Sequence, residues 1–80
     1  MHNLPVISGE KLLKVLKKQG YVILRQAGSH IRLEKDFKTH KHKITIPYHK
    51  VIAFGTLHDI IRSICEKNSL TKEQMLDLLK

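Results

Sequence analysis

One short stretch, Arg25-Gln-Ala-Gly-Ser-His-Ile-Arg-Leu-Glu34, sets a titratable imidazole among fixed cations. Ile31 and Leu33 alternate with His30, Arg32 and Glu34. In a strand, that alternation puts His30 and Arg32 on one face and the two aliphatic side chains on the other. A second alternating run, His42 to Pro47, turns Lys43 and Thr45 outward and Ile44 and Ile46 inward. Histidine, with an ordinary pKa of about 6.5, suits proton transfer near neutral pH. Arginine and lysine suit the stabilisation of developing negative charge, and a guanidinium binds phosphate oxygens through two parallel bonds. His30, Arg32, Arg25 and Lys43 are therefore a candidate set for moving a proton beside a phosphate without a metal. RNA is a substrate that asks for this chemistry. Its 2′-hydroxyl is a nucleophile already in place, and cleavage needs a base, an acid and cations around phosphorus. On residue types alone the signal is weak, because an isolated strand histidine is more often structural or simply exposed.

The other histidines carry less. His40-Lys-His42, with His49 or His58, has the residue types for zinc, but it lacks the CxxC partner of structural sites and the three well-placed ligands of catalytic ones. No metal and no cofactor is called for. His49, in Pro47-Tyr48-His49-Lys50, has three open roles: contacting phosphate, capping the next helix or meeting a partner. A structural role is the favoured one. His2 supports no inference. The aromatic residues are too few and scattered for a base-stacking platform.

The elements that must position these residues follow from periodicity. Met1 to Ile7 is a lead-in that Pro5 keeps irregular. Ser8 is a candidate N-cap, Glu10 suits the positive end of a helix, and Gly20 suits the residue after its last turn. Between them Leu12, Leu13, Val15 and Leu16 share one side, and Lys11, Lys14, Lys17 and Lys18 the other. The lysine stripe is mainly a solvated face. Tyr21 to Gln26 and Ser29 to Lys35 are two strands of a hairpin turning at Gly28. Gly28 suits a positive φ, and Ser29 suits a local hydrogen bond or a phosphate contact. Asp36 to Lys41 is a loop, and Tyr48 to Gly55 joins the sheet to the next helix. There Thr56 and Asp59 resemble a capping box, ahead of Leu57, Ile60, Ile61, Ile64 and Cys65 at core-facing helical spacing. Cys65 is thus a small core residue and not a nucleophile. Thr71 with Gln74 is a second capping box, Leu70 with Met75 fits a hydrophobic staple, and Met75, Leu78 and Leu79 dock a short last helix.

The order is α-β-β-β-α-α. This is an α+β fold in which a three-stranded antiparallel sheet has its helices on one face. The other face is open, and strict alternation gives it Arg25, His30, Arg32, Lys43, Thr45, Tyr21 and Ile23.

Eighty residues make one small domain that buries about 60% of its unfolded surface. A hydrophobic content of 41% supports a core and excludes a disordered chain. No apolar run approaches the roughly 20 residues of a membrane span. A lone cysteine forms no internal disulfide, so a reducing cytoplasm is the expected compartment. The net charge is +8, and it is lopsided. Residues 11–50 hold eleven basic and two acidic side chains, whereas residues 51–80 hold four of each. Such a field suits a polyanion bound on one side; the plainer alternative is a solvated basic surface.

Five pieces of the chain together are specific. Ser8-Gly9, Gly20-Tyr21, Arg25-Gln26-x-Gly28-Ser29-His30, Ile46-Pro47-x-His49 and Gly55-Thr56-Leu57-x-x-Ile60, in this order and spacing, resemble the HicA toxins, also called the YcfA-like family. The resemblance runs from about Ile7 to about Leu79, so residues 1–80 are expected to form one such domain. It implies a fold like a double-stranded RNA-binding domain. It implies a type II toxin that acts as a metal-independent mRNA interferase, an endoribonuclease. It also implies a HicB-type antitoxin that covers the active surface, with oligomers formed only through that partner and no membrane. The family's glycine-serine-histidine motif falls on Gly28-Ser29-His30, which implies that His30 is catalytic. Arg25, Ser29, Arg32 and Lys43 are the candidate RNA contacts. Two alternatives stand beside this. One is a non-catalytic RNA-binding module on the same face, and the other a degenerate toxin retained for antitoxin binding.

Overall fold

The computed structural model describes residues 4–80; His2 and the start of the expected lead-in lie outside them. Helix α1 spans Gly9–Lys18, strands β1 to β3 span Val22–Ala27, His30–Asp36 and Lys41–Pro47, and helices α2 and α3 span Phe54–Asn68 and Lys72–Leu78. The strands form an antiparallel meander in the order β1-β2-β3. Ile31, Leu33 and Ile46 are buried on one sheet face, in a core shared with Leu12 and Leu16 of α1, Leu57, Ile61 and Ile64 of α2, and Met75 of α3. The expected α-β-β-β-α-α order and one-sided helical cover are what the chain adopts. No helix among the described residues is long and apolar enough to cross a membrane.

Local chemistry explains most boundaries. The Ser8 hydroxyl accepts from the Lys11 amide at 3.0 Å and starts α1, with Glu10 in its first turn and Gly20 past its end. Thr71 and Gln74 close the expected capping box at α3. Gly28 has φ +59°, and a Cβ there would meet nothing within 4 Å. Its requirement is therefore conformational: a positive φ at the first of two turn residues suits a hairpin of the II′ kind. The residues before α1 are not a passive leader. Leu4 and Ile7 are buried in the core, and the Ile7 carbonyl accepts from the Ile52 amide at 2.9 Å.

Three expectations are corrected. The first concerns α2, which starts at Phe54 with Ala53 as its N-cap and no side-chain cap, so Thr56 and Asp59 form no capping box. Ile52 is buried and tied to Ile7, which leaves Ala53 as the only junction before the turn that must present Leu57 to the core. The second and third concern β1. Ile23 pairs with Leu33 of the core face, while Arg25 pairs with Arg32 of the open face, and the register shifts between them at Leu24. This bulge inserts one residue and reverses the alternation. Tyr21 is therefore buried, at 2% exposure, and Ile23 sits on the helix side of the sheet instead of on the open face. Val22, Ile23 and Leu24 all remain exposed on this edge strand.

The inward turn of Tyr21 creates a buried polar chain. Asn68 Nδ2 donates to the Tyr21 hydroxyl at 3.0 Å, and that oxygen lies 2.6 Å from His42 Nδ1. His42 Nε2 lies 2.9 Å from the Ser63 hydroxyl. Because the phenol already accepts from Asn68, its proton points to Nδ1, and the neutral ring carries its own proton on Nε2 toward Ser63. Burial, then the charge of Lys67 and the nearness of His40, hold the His42 imidazolium below the ordinary histidine range. Burial likewise raises the Tyr21 phenol, partly offset by the bond from Asn68. The network ties the entry of β1 and the middle of α2 to β3.

Two consequences are measurable. A histidine whose folded pKa is depressed binds its proton more readily in the unfolded chain. Its contribution is intact above the unfolded value of 6.5 and is lost as pH falls from there through the folded value. Melting temperature should thus decline below pH ~6.5, with an NMR titration midpoint for the His42 ring under that value; a midpoint at or above it would contradict the network. The second concerns Gly9, whose amide donates to the His49 carbonyl at 2.9 Å and where a Cβ would lie 2.7 Å from Tyr48 Cα and also collide with the Pro47 carbonyl. Gly9→Ala should cost about 1–3 kcal/mol, as overpacking against backbone does. In a chain of this size that lowers the melting temperature by roughly 4–8 °C per kcal/mol, and an unchanged melt would rule the close approach out.

Candidate functional site

The hairpin turn sets His30 at the start of β2, opposite Ala27 of β1 and Pro47 of β3. One row along the same face come Arg25, Arg32 and Thr45, in register across the three strands. His30, Arg25, Arg32, Thr45 and Ala27 line an open depression of about 270 Å³. The small Ala27 leaves the space, and the bulge at Leu24 aims Arg25 into the row. The two guanidinium-bearing residues stand directly opposite one another. Like charges so placed are unfavourable, and among the described residues neither forms an ion pair.

The acidic groups of this face lie at its other end. The next row is Val22, Glu34 and Lys43. Lys41 lies 3.9 Å from Glu34 and 3.7 Å from Asp36, so it partly neutralises both carboxylates. Lys43 is exposed on the same face but stands opposite Glu34 and does not line the depression. Ser29 is exposed in the turn. Its backbone carbonyl accepts from the Tyr48 amide at 2.5 Å, while its hydroxyl makes no hydrogen bond among the described residues. The tie expected of its side chain is made by its main chain.

A second depression, of about 320 Å³, adjoins the first. His30 and Thr45 line both, and Pro47, His49, Ala53 and Thr56 complete it. It borders the start of α2, whose N-terminus lacks a side-chain cap and carries the positive end of the helix dipole. His49 is exposed, and its ring makes no hydrogen bond among the described residues. Its backbone is held firmly. Tyr48 is bonded to Ser29, the His49 carbonyl to Gly9, and Ile52 to Ile7.

The remaining histidines diverge from this site. Both ring nitrogens of His42 are taken up by Tyr21 and Ser63. His40 stacks on Phe37 with ring centroids 4.7 Å apart. His58 lies 3.5 Å from Asp59 at the other side of the α2 start. Among the described residues no group of three His, Cys, Asp or Glu is placed to hold a metal ion. Cys65 is half-buried and burial raises its thiol pKa, which disfavours the reactive thiolate.

The site thus gathers His30, Arg25 and Arg32 as expected, and adds Thr45, Thr56 and His49. Thr45 is visible in the sequence as an outward residue of an alternating strand. Thr56 is not, and for His49 the sequence favours a structural role over a phosphate contact, because the approach of both depends on how the loop after β3 folds back over the hairpin.

Neither the search of curated proteins nor that of solved structures returned a match. A family model described as the HicA toxin of bacterial toxin–antitoxin matches residues 9–64, which span all three strands and most of α2. The chain belongs to the HicA toxin family.

Proposed function

We propose that the protein is an endoribonuclease toxin, an mRNA interferase, that cleaves RNA without a metal. His30 exchanges a proton with the reacting strand, and Arg25, Arg32 and Thr45 hold the phosphate beside it. Lys43 and Ser29 contact the RNA on either side of that point. One observation carries this reading: two arginines stand opposite each other beside a histidine, with no acidic partner among the described residues. A pair that repels itself in the free protein is relieved when a phosphate bridges it. The cationic end of the face also attracts an acidic partner, as a HicB-type antitoxin covering this surface would be, and opposite charges would speed that encounter.

Replacing His30 by Ala should lower RNA cleavage by about a hundredfold or more, the usual worth of a positioned proton-transfer group. The melting temperature should stay unchanged, because the ring is exposed. The assay is run with purified protein and a chelator. RNA that is bound but never cleaved by the unaltered protein would establish the non-catalytic module instead.

The arginines make an opposed pair of effects. With His30→Ala as the background, so that RNA stays intact, Arg25→Gln or Arg32→Gln should weaken binding. Each should also reduce the slope of log K against log salt by about 0.7 to 1, because one fewer phosphate is neutralised. The same substitutions should leave the fold as stable or raise its stability by about 0.2–1 kcal/mol, since they remove a like-charge pair. Equal RNA affinity and salt slope in these variants would take the pair out of the RNA site.

A further inference from the structure

We infer that His49 is the second proton-transfer residue of the site, acting with His30 on opposite ends of one displacement at phosphorus. This rests on the ribonuclease reading and goes beyond it, since that reading names one histidine for a reaction that needs two proton transfers. The 2′-hydroxyl must lose a proton as its oxygen attacks phosphorus. The bond from phosphorus to the 5′-oxygen then breaks, and that oxygen must gain a proton. The products are a 2′,3′-cyclic phosphate and a free 5′-hydroxyl, and the balance requires no further reactant.

The placement supports the assignment in three ways. His30 and His49 line the same depression, and both are exposed to it. His30 also lines the depression that holds the arginine pair, so a phosphate seated between His30 and His49 stays next to the guanidinium groups. Base and acid must flank the phosphorus in this way, because the attacking and leaving oxygens lie roughly in line. Finally, the two histidines are linked through the backbone. Tyr48, which precedes His49, donates its amide to the carbonyl of Ser29, which precedes His30. The Gly9 amide holds the His49 carbonyl as well. The ring itself makes no hydrogen bond among the described residues, so this anchoring fixes the backbone that carries it while the fold makes no other use of the side chain. Backbone positions held at a set separation are the starting requirement of a proton-transfer pair.

The test is a pH–rate profile of RNA cleavage by the whole protein, before and after His49→Gln, with His49→Asn as a second variant. Both keep the backbone contacts, and melting curves identify the variant that remains folded. The unaltered protein should give a bell-shaped profile. The folded variant should lose at least about a hundredfold in rate and one limb of the bell. A second substrate, with sulfur in place of the 5′-bridging oxygen, leaves as a thiolate that needs no proton. Recovery on that substrate makes His49 the acid, whereas equal loss on both substrates with one limb gone makes it the base; either supports the inference. A reduced rate that keeps both limbs, or an unchanged rate, overturns it while leaving the ribonuclease reading intact. Absence of cleavage by the unaltered protein overturns the reading itself.

Discussion

Side-chain alternation along β1 cannot serve both faces of the sheet unless it is broken once, and the bulge at Leu24 breaks it. N-terminal to that point Ile23 pairs with Leu33 of the inner face, and the residue just ahead of the strand turns inward. Tyr21 is buried, and its hydroxyl joins Asn68 and His42. C-terminal to it the strand belongs to the open face, with Arg25 across from Arg32. Without the extra residue, an inward Tyr21 would force Arg25 toward the aliphatic side chains, and an outward Arg25 would strip the polar chain of its middle member. The inner positions of β1 stay exposed, as Ile23 and Gln26 show, so an inward Arg25 would lose its place opposite Arg32 without being fully buried. A buried histidine that loses its hydrogen-bond partner costs about 1–3 kcal/mol, and the bulge avoids that loss while keeping the arginine row.

The same division explains how so small a chain tolerates a repelling site. Stability comes from the inner face, where Ile31, Leu33 and Ile46 are sealed by three helices, and from a polar network with no buried side-chain atom left unsatisfied among the described residues. The open face contributes little to that and is free to concentrate charge. Opposed arginines there cost tenths of a kcal/mol, not several, because water screens them. A binding site with unbalanced charge is tolerable only where its penalty is small and its supports lie elsewhere.

Much of this is legible from residue order, and the exceptions share a cause. The helices announce themselves through Ser8, Thr71 and the spacing of Leu57, Ile60, Ile61 and Ile64. The second and third strands do so through strict alternation, which places His30, Arg32 and Thr45 correctly. Each element there obeys one period from end to end. β1 does not, and no residue type marks Leu24 as a bulge, so counting back from Arg25 puts Tyr21 and Ile23 on the wrong face. The start of α2 misleads for a related reason. Thr56 has good capping chemistry, but the bond between Ile52 and Ile7, forty-five positions apart in the chain, decides where the helix begins. The structural role of His42 leaves no local trace, because its partners, Tyr21 and Ser63, each lie 21 residues away.

Long-range backbone bonds of this kind also bear on how the site would work. The loop after β3 carries no secondary structure between Pro47 and Phe54, yet it is fastened to the hairpin by Ser29, to α1 by Gly9 and to the N-terminal segment by Ile7. A loop so held keeps its side chains in register with β2 instead of wandering over the surface. Electrostatic stabilisation of a phosphorane-like transition state depends on groups that are already oriented before the charge develops. Lysines on the solvated face of α1 would draw in a polyanion but could not supply that orientation, since each is a flexible point charge. Hence the bulk of the +8 charge accounts for attraction, and catalysis, on the proposed reading, is confined to the few side chains that sheet register and the pinned loop hold in place.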